Sequence, residues 1–397
     1  MTAHDEELGE FRDQVRDWCE EHVPAGWREH LSGAGHDEYL RFQEWWRTEL
    51  HKAGYLAPHW PVEWGGSSMS VPKQIVLYEE LARGDAPQPA PYQVALFNAG
   101  PTILGYGSEE QKQRFLPKML DGQVWCQGFS EPEAGSDLAS LRTQATRHGD
   151  HYRVRGQKVW TSHASDAERC ILLARTGLQE ERHRSLSYFL LDMHAPGVEI
   201  RPIRKATGDT EFYELFLDDV EIPIADRVGD EGKGWRIAMG TLASERAVVM
   251  VSLIERLRHN GVLSLIRDAA EWSFEDGTPM LTDRGVREQL ADRYARATTL
   301  RLLGNRLIDD IIHGDGAGPE ASIIKVLYSE LLQDLTDLAV HMQGADAHLE
   351  RPLVPATGQE SGDWMNDFVN SYSWTIAGGT NEIQRNILGE QVLGLPR

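Results

Sequence analysis

The sequence predicts an α+β protein with an N-terminal helical domain, a middle antiparallel β domain and a C-terminal four-helix bundle. Up to about residue 120, apolar residues recur at the spacing of helices. Between roughly 124 and 225, short apolar and aromatic runs bounded by Gly, Asp or Pro replace that pattern, which is typical of strands. From about 232 the helical spacing returns and continues almost to the last residue. We therefore expect three domains, at residues 1–122, 123–230 and 231–397.

The individual elements follow from the same patterns. Helices are expected around Lys73–Ala82 and Glu109–Leu120, and Ser108 is placed to cap the second one. A further helix is expected from about Gly234 to Leu263. Four compact runs are expected to form strands: Cys170–Ala174, Leu186–Leu191, Val198–Ile203 and Tyr213–Leu217. Turn residues interrupt the last helical part twice, at Gly314–Pro319 and Pro352–Gly362.

The composition narrows the classes of function. Among the 397 residues, 62 are Asp or Glu and 40 are Lys or Arg. The resulting formal net charge of −22 argues against nucleic acid or an anionic membrane as the main partner. The three cysteines lie far apart in sequence, which argues against a disulfide framework and favours a reducing cytoplasm. We expect no membrane-spanning segment, because no apolar stretch approaches 18 residues.

Several common catalytic and binding motifs are missing from the sequence. It contains no G-x-x-x-x-G-K-[ST] phosphate loop, no H-E-x-x-H metal pair and no G-x-S-x-G nucleophile elbow. No G-x-G-x-x-G lies between a strand and a helix, so a Rossmann nucleotide site is not expected. The 15 histidines are scattered without ligand spacing, and we predict no metal site.

Three segments stand out from this background. Gln127–Asp137 (Q-G-F-S-E-P-E-A-G-S-D) either cradles a cofactor with its backbone N–H groups and hydroxyls, or is a turn that starts a short helix at Leu138–Leu141. Lys158–Ser162 (K-V-W-T-S) is either a Trp and two hydroxyls that stack on a flat ring and hydrogen-bond its edge, or a core Trp with two hydroxyls at a strand end. Ala377–Leu388 (A-G-G-T-N-E-I-Q-R-N-I-L) is either an ordinary helix N-cap or a helix start that meets an anionic group.

A fourth feature is a single carboxylate. Glu245 lies in the expected helix 234–263, and its helical neighbours include Leu242, Val248 and Val249. A glutamate on a helix is usually solvated, but a carboxylate among apolar groups has a raised pKa, which suits a general base near neutral pH.

Taken together, these segments resemble the acyl-CoA dehydrogenase family. Gly128–Asp137 is similar to the flavin-site signature of that family, and K-V-W-T-S is similar to its flavin-stacking strand. The segment G-G-T-N-E-I-Q-R-N-I-L with the final L-G-L-P-R resembles its C-terminal signature. The order of helices, β domain and helical bundle agrees with the family over nearly the whole chain. Three long motifs in the right order and at the right spacing make an accidental match improbable.

The resemblance implies bound FAD and a CoA thioester that is oxidised to the trans-2-enoyl thioester. It assigns Phe129 and Ser130 to the face and edge of the flavin, and Trp160, Thr161 and Ser162 to its ring, with Ser162 or Thr161 near N5. It also implies that Ser136 lies beside the pantetheine arm, with Arg246 among the substrate-binding residues. Thr380 and Glu382 would meet the diphosphate and adenosine side of FAD. An electron-transfer flavoprotein is the expected electron acceptor.

The catalytic base departs from the commonest family pattern. Many members place a Glu directly before the Gly-Thr of the C-terminal signature, but here that position is Gly378. A subset resembling isovaleryl- and long-chain enzymes places the Glu before an Arg on the first helix of the C-terminal bundle. Glu245 precedes Arg246 at the matching place, so the resemblance predicts Glu245 as the base. Gly378 would then supply only a polarising N–H to the thioester oxygen.

Two segments that serve the neighbouring subunit in typical homotetramers are altered. The region of the usual R-x-x-F-G is Trp272–Leu281, which contains no arginine, and the Gln that usually follows falls at Arg284. The region of the usual Q-x-x-G-G-x-G is His341–Ala347 (H-M-Q-G-A-D-A). This resembles the base-carrying chain of actinobacterial α2β2 dehydrogenases, in which a second chain supplies the missing contacts. A homo-oligomer, dimer or tetramer, with altered adenosine contacts is the alternative.

Two further functions remain open from the sequence. One is a flavin-dependent oxidase or monooxygenase of the same fold, although such enzymes often replace the Glu base. The other is a non-catalytic subunit that only completes the site of another chain. Whether the thioester is carried by CoA or by a carrier protein also stays open.

Overall fold

The computed structural model describes residues 3–246, 248–312, 318–319, 321–349, 353 and 361–396. The side chains of residues 3–5, 243–249 and 310–312 lie outside that description. Contacts divide the chain into two compact units. Residues 1–42, 69–88 and 246–397 form the first, here called the helical unit, and residues 43–68 and 89–245 form the second, here called the sheet unit.

The helices before the sheet follow the predicted pattern. They are α1 (Ala3–His22), α2 (Trp27–Leu31), α3 (His36–Lys52), α4 (Val71–Arg83), α5 (Gly100–Tyr106) and α6 (Glu109–Leu120). Helix α6 has the predicted bounds, and Ser108 caps it: the Ser108 hydroxyl accepts from Gln111 N at 3.2 Å, while Gln111 Oε1 accepts from Ser108 N at 3.1 Å. This reciprocal pair satisfies two N–H groups that a helix start otherwise leaves open.

The sheet has eight strands. They are β1 (Trp125–Gly128), β2 (Gln144–His148), β3 (His151–Ser162), β4 (Arg169–Arg175), β5 (Leu186–Asp192), β6 (Val198–Ile203), β7 (Phe212–Pro223) and β8 (Arg227–Val228). Their order is β6-β7-β3-β2-β4-β5-β8, with β1 beside β4. The pairing is mostly antiparallel, as predicted, but β1 runs parallel to β4, and Gln144 on β2 pairs in parallel with Arg175 on β4. The four predicted strand runs correspond to β4, β5, β6 and β7.

Burial along the strands explains where the core of the sheet lies. On β3, Tyr152 and Val154 are buried while Arg153 and Arg155 between and after them are exposed, because successive side chains point to opposite faces. Strand β5 is buried over its first six residues, which matches their largely apolar sequence. The inward side chains of β3, β4, β5 and β7 form one apolar cluster.

The remaining helices follow the sheet in sequence. They are α7 (Gly234–Arg246), α8 (Val248–Arg256), α9 (Leu263–Glu271), α10 (Arg284–Ile312), α11 (Ala321–Gln343), α12 (Trp364–Trp374) and α13 (Asn381–Ile387). A π-helical turn at Leu257–Val262 joins α8 to α9, so helical structure extends beyond the predicted end at Leu263. Buried side chains from α8 to α11 form the main apolar core of the helical unit. The predicted interruptions at 314–319 and 352–362 fall largely outside the described residues.

The predicted fold class is therefore confirmed: helices, then a β domain, then a helical C-terminal region. The three cysteines are buried and free. Within the described ranges no helix is long and apolar enough to cross a membrane. Over the same ranges no cluster of three or more His, Cys, Asp or Glu side chains has the arrangement of a metal site.

Candidate functional site

The loop that follows β1 is attached directly to β3. The Ser130 carbonyl accepts a hydrogen bond from Val159 N at 2.9 Å, so the first two predicted segments lie side by side in the sheet unit. The Phe129 ring is buried and meets Tyr188 edge to face, with centroids 5.8 Å apart. Ser130 itself is half-buried. The structure therefore brings the residues of the Gln127–Asp137 and Lys158–Ser162 segments together.

A buried ion pair holds this loop against the strand. Lys158 Nζ lies 2.7 Å from Glu131 Oε1 and also donates to the Phe129 carbonyl at 3.1 Å. The Lys158 side chain is fully buried and that of Glu131 nearly so. Burial alone would raise the pKa of Glu131, but the attraction and hydrogen bond of Lys158 bring it below its ordinary value. Burial lowers the pKa of Lys158 even though Glu131 opposes that effect.

Glu131 also anchors the chain farther along. Its carboxylate accepts from Arg142 N at 2.6 Å and from Thr143 N at 2.9 Å. Arg175, buried on β4, donates to the carbonyls of Ala139 and Leu141, both at 2.9 Å. The turn that follows the Gln127–Asp137 segment is therefore held from two sides by charged side chains.

Trp160 and Thr161 have contrasting surroundings at the end of β3. The Trp160 side chain is 59% exposed, its φ is +61°, and the register of β3 with β7 shifts between Lys158 and Thr161. Thr161 is fully buried, yet its Oγ1 has no hydrogen-bond partner among the described residues. Ser162 is half-buried and pairs with Phe212 on β7. An exposed ring beside an unpaired buried hydroxyl fits a flat ligand with a polar edge.

Ser136 lies on the exposed part of the loop. The neighbouring Asp137 accepts a hydrogen bond from Arg182 Nη2 at 2.7 Å and another from the Ser140 hydroxyl. The short helix expected at Leu138–Leu141 is a single 3₁₀ turn at Leu138–Ser140, and no side chain caps its first N–H groups.

The third predicted segment lies in the helical unit. Gly378 and Gly379 have φ of +66° and +90°, which glycine adopts readily and other residues rarely. The Thr380 hydroxyl accepts from Ile383 N at 3.3 Å, so Thr380 caps α13 as predicted. Glu382 is exposed, and hydrogen bonds from its own N–H and from the Thr380 hydroxyl lower its pKa.

The predicted base lies at the end of α7. Glu245 and Arg246 are the last two residues of that helix, and their side chains lie outside the described part of the structure. One turn earlier, Thr241 is buried and its hydroxyl lies 2.7 Å from that of Thr102 and 3.3 Å from that of Tyr188. Burial raises the pKa of Tyr188, so this tyrosine stays neutral. The part of α7 that precedes Glu245 is thus fixed within the sheet unit.

The sequence did not assign a role to the residues that position these loops, although three of them lie within the predicted segments. They are Glu131, Lys158 and Arg175 in the sheet unit, and Lys325 and Gln384 in the helical unit. One signal was available: Lys158 follows Tyr152 and Val154 at even spacing on β3, so its side chain had to point inward and needed a charged partner. The partner itself depends on the path of the loop, which the strand pattern does not reveal.

Comparison with known proteins identifies the chain. Residues 5–123 match the N-terminal domain of acyl-CoA dehydrogenases, residues 126–220 the middle domain and residues 232–393 the C-terminal domain. An acyl-CoA dehydrogenase named IpdE1 from Mycolicibacterium smegmatis is 38% identical over 409 residues, which cover 98% of each chain. IpdE1 of Mycobacterium tuberculosis is 37% identical and covers 99% of each chain. The chain therefore belongs to the acyl-CoA dehydrogenase family of flavoprotein oxidoreductases and is an enzyme.

Solved structures agree with this family. The structure named Tcur3481-Tcur3483 steroid ACAD is 29% identical with a TM-score of 0.83, and 98% of each chain is covered. The ChsE4-ChsE5 complex from Mycobacterium tuberculosis is 31% identical with a TM-score of 0.81, covering 100% of this chain and 99% of that one. The first name joins two protein designations, and the second describes a complex of ChsE4 with ChsE5.

Proposed function

We propose that this protein catalyses the FAD-dependent α,β-dehydrogenation of an acyl-CoA thioester to the trans-2-enoyl-CoA. The observation that carries the proposal is the exposed indole of Trp160 next to the buried, unpaired hydroxyl of Thr161, at the flavin-stacking position of the family motif. A buried hydroxyl without a partner costs free energy that a ligand atom would recover. These residues therefore fit a flavin.

The cofactor would be held by residues of both signatures. Phe129, Ser130 and Trp160–Ser162 would hold the ring, and Thr380 and Glu382 would meet the diphosphate and adenosine side. When bound, the flavin accepts the hydride from the β-carbon, and an electron-transfer flavoprotein reoxidises it. The domains are proposed to be 1–122, 123–230 and 231–397.

Replacing Thr161 tests the cofactor assignment. Thr161→Val keeps the shape and removes the unpaired hydroxyl, so we expect flavin to bind roughly five- to tenfold more weakly. The matched control is Thr146→Val on exposed β2. Titration of the apoprotein with FAD measures the affinity, and unfolding experiments measure the stability, which we expect to be unchanged or slightly higher. Equal FAD affinity in Thr161→Val and the wild type would contradict the assignment.

Four residues are assigned to the substrate. Glu245 would remove the α-proton, and the backbone N–H of Gly378 would donate to the thioester oxygen as negative charge develops there. Ser136 would lie beside the pantetheine arm, and Arg246 would contact the substrate.

Glu245→Gln separates chemistry from binding, because the amide keeps the size of the side chain and cannot take a proton. We expect flavin to be retained and the rate of anaerobic bleaching by acyl-CoA to fall by about 10²–10⁴-fold, which is the usual contribution of a positioned base. Glu271→Gln, an exposed glutamate at the end of α9, is the control. Both variants and the wild type are tested with a panel of straight-chain, branched and steroid-derived acyl-CoA thioesters. Full turnover by Glu245→Gln would refute the base, and peroxide formation from a different substrate class would favour an oxidase or monooxygenase.

The same chain is proposed to work as one subunit of an α2β2 complex with a second dehydrogenase-like chain. The loop at 272–281 carries Glu275 and Asp276 on an exposed turn, where the family pattern has an arginine. The N–H and hydroxyl of Thr278 lower the pKa of Asp276, so it remains charged. A negative loop repels FAD phosphates, which explains why another chain would have to supply that contact.

Expression with and without a second chain tests this arrangement. Alone, the protein should purify as a dimer or with much less than one flavin per chain. Flavin counting by absorbance and mass determination by light scattering give the two quantities. A homotetramer with one flavin on every chain would contradict the two-chain proposal.

A further inference from the structure

The loop between α12 and α13 is closed at its base. Asn381 N donates to the Thr375 carbonyl at 2.9 Å. Lys325 on α11 donates to the same carbonyl at 3.2 Å and to Asn381 Oδ1 at 2.7 Å. The two ends of the loop are therefore fixed, and all of these residues belong to the helical unit.

The interior of the loop is held by one neutral side chain. Gln384 on α13 is 1% exposed, and its Nε2 donates to the carbonyls of Gly378 at 3.0 Å and Gly379 at 3.3 Å. A primary amide nitrogen carries two hydrogens, so both are used. The approach is close: a Cβ on Gly379 would lie 2.7 Å from Gln384 Nε2, so a larger residue there would displace the amide from the two carbonyls.

These two hydrogen bonds fix the directions of the neighbouring backbone N–H groups. In a trans peptide the carbonyl of one residue and the N–H of the next point in opposite directions. Since the carbonyls of Gly378 and Gly379 face Gln384, the N–H groups of Gly379 and Thr380 face away from it. The N–H groups of Gly378, Gly379 and Thr380 donate to none of the described residues.

Gly378 is anchored on both sides. The preceding residue, Ala377, donates its N–H to the Ser373 carbonyl at 2.8 Å, and the Gly378 carbonyl is held by Gln384. The peptide that carries the Gly378 N–H therefore lies between two fixed hydrogen bonds. On its open side a Cβ at Gly378 would meet nothing within 4 Å.

We propose that Gln384 is a positioning residue that fixes the Gly378–Gly379 and Gly379–Thr380 peptides, so that the N–H groups of Gly379 and Thr380 face away from it and the adjacent N–H of Gly378 is presented to the substrate. The inference rests on the proposed function, in which the Gly378 N–H polarises the thioester oxygen. Gln384 acts through the backbone and does not itself touch the substrate. Its amide is suited to this task because it donates twice and carries no charge at any physiological pH.

Gln384→Glu tests the donor requirement with a variant of nearly the same shape. An ionised carboxylate repels the two carbonyls, whereas a protonated one donates to one of them. Burial raises the pKa of the introduced carboxyl, so activity should recover as the pH falls. We expect kcat to be roughly 10- to 100-fold below wild type at pH 8, with KM changed less than threefold, and a partial recovery toward pH 5.5.

Gln391→Glu is the matched control, because Gln391 is exposed in the turn after α13. Its pH profile should follow that of the wild type. A Gln384→Glu profile parallel to wild type across the whole pH range would overturn the proposal. The carbonyl stretching frequency of a bound thioester gives a second measure, and it should rise in the variant because polarisation is lost.

Gln384→Met separates this inference from the proposed function. Crystal structures of this variant and of the wild type show the peptide planes whether or not any thioester is oxidised. We expect at least one of the Gly378 and Gly379 carbonyls to rotate away from residue 384. Carbonyls that keep their direction would overturn the positioning role. Failure of the wild type to be bleached by every thioester would instead overturn the proposed dehydrogenation.

Discussion

In the sheet unit, the loop after β1 is held by the ion pair of Lys158 with Glu131, whereas in the helical unit the loop before α13 is held by the neutral amide of Gln384. Both loops carry family signatures, and both are fixed by a buried side chain that bonds to backbone carbonyls. Lys158 is a desolvated charged group, whereas Gln384 is an uncharged donor. Both side chains fix a loop, but the loss of the charged one should cost more unfolding free energy than the loss of the neutral one.

The difference separates stability from geometry. Removal of one partner of a buried ion pair leaves an uncompensated charge, which costs about 3–5 kcal/mol. Removal of a neutral donor leaves unsatisfied carbonyls, which costs about 1–3 kcal/mol. We therefore expect changes at Lys158 to be seen mainly in unfolding, and changes around Gln384 mainly in the direction of N–H groups.

The largest effect is expected from Lys158→Met. The variant leaves Glu131 buried without its cation, so the free energy of unfolding should fall by about 3–5 kcal/mol. Lys52→Met is the control, because the Lys52 pair with Glu49 is exposed and worth about 1 kcal/mol or less. Urea unfolding monitored by Trp fluorescence measures both. Addition of Glu131→Gln to Lys158→Met should recover part of the loss, and failure to recover any would show that charge is not the cause.

An intermediate effect is expected from the two adjacent glycines. Gly379→Ala forces a Cβ against Gln384 Nε2 at a φ of +90°, and should cost about 2–3 kcal/mol of unfolding free energy. In Gly378→Ala the added Cβ meets no atom within 4 Å, so only the positive φ lowers the unfolding free energy, by about 1 kcal/mol. Urea unfolding of the two variants and the wild type measures both losses. Equal losses would mean that the close approach of Gln384 is not what requires glycine at position 379.

The smallest effect is expected from acid. The pKa of Glu131 in the folded protein lies below the ordinary 4.5, so its stabilising contribution is present above 4.5 and is lost as the pH falls through the lower, folded value. The amides of Arg142 and Thr143 donate to this carboxylate, and their hydrogen-exchange protection should fall roughly tenfold over that range.

The backbone N–H of Asn381 provides the contrast, because it donates to the neutral carbonyl of Thr375 in the helical unit. Its protection should lose no more than the global stability loses over the same pH range. Glu131→Gln should abolish the extra pH dependence at Arg142 and Thr143. A decline of the same size in this variant would place the titrating group elsewhere.

Much of the fold could be predicted because local pattern and tertiary position agree. The start of α6 follows from Ser108, whose hydroxyl accepts from a backbone N–H three residues ahead, an interaction within one helical turn. Strands β4 and β5 follow from short, largely apolar runs between turn residues, since a strand buried on both faces must be apolar there. The parallel pairing of β1 with β4 could not be predicted in this way, because it joins strands far apart in sequence.

The signatures were recognisable, but the residues that hold them in place were not. Trp160, Thr161, Gly378 and Thr380 lie within contiguous motifs, so the resemblance to the family was enough to assign them roles. The distance between Glu131 and Lys158 along the chain gives no hint that the two charges meet. Likewise, 56 residues and the whole of α12 separate Lys325 from Asn381.

By itself, the sequence determined the class of fold, the family and the positions of the three signatures, because helix caps, strand alternation and contiguous motifs are local properties of the chain. Only the tertiary structure decided that Lys158 is paired with Glu131, that the hydroxyl of Thr161 is buried without a partner, and that Gln384 faces two glycine carbonyls. These facts depend on which distant segments exclude water from one another. Burial is what makes an ion pair, a hydroxyl or an amide consequential, and it exists only once the chain has folded.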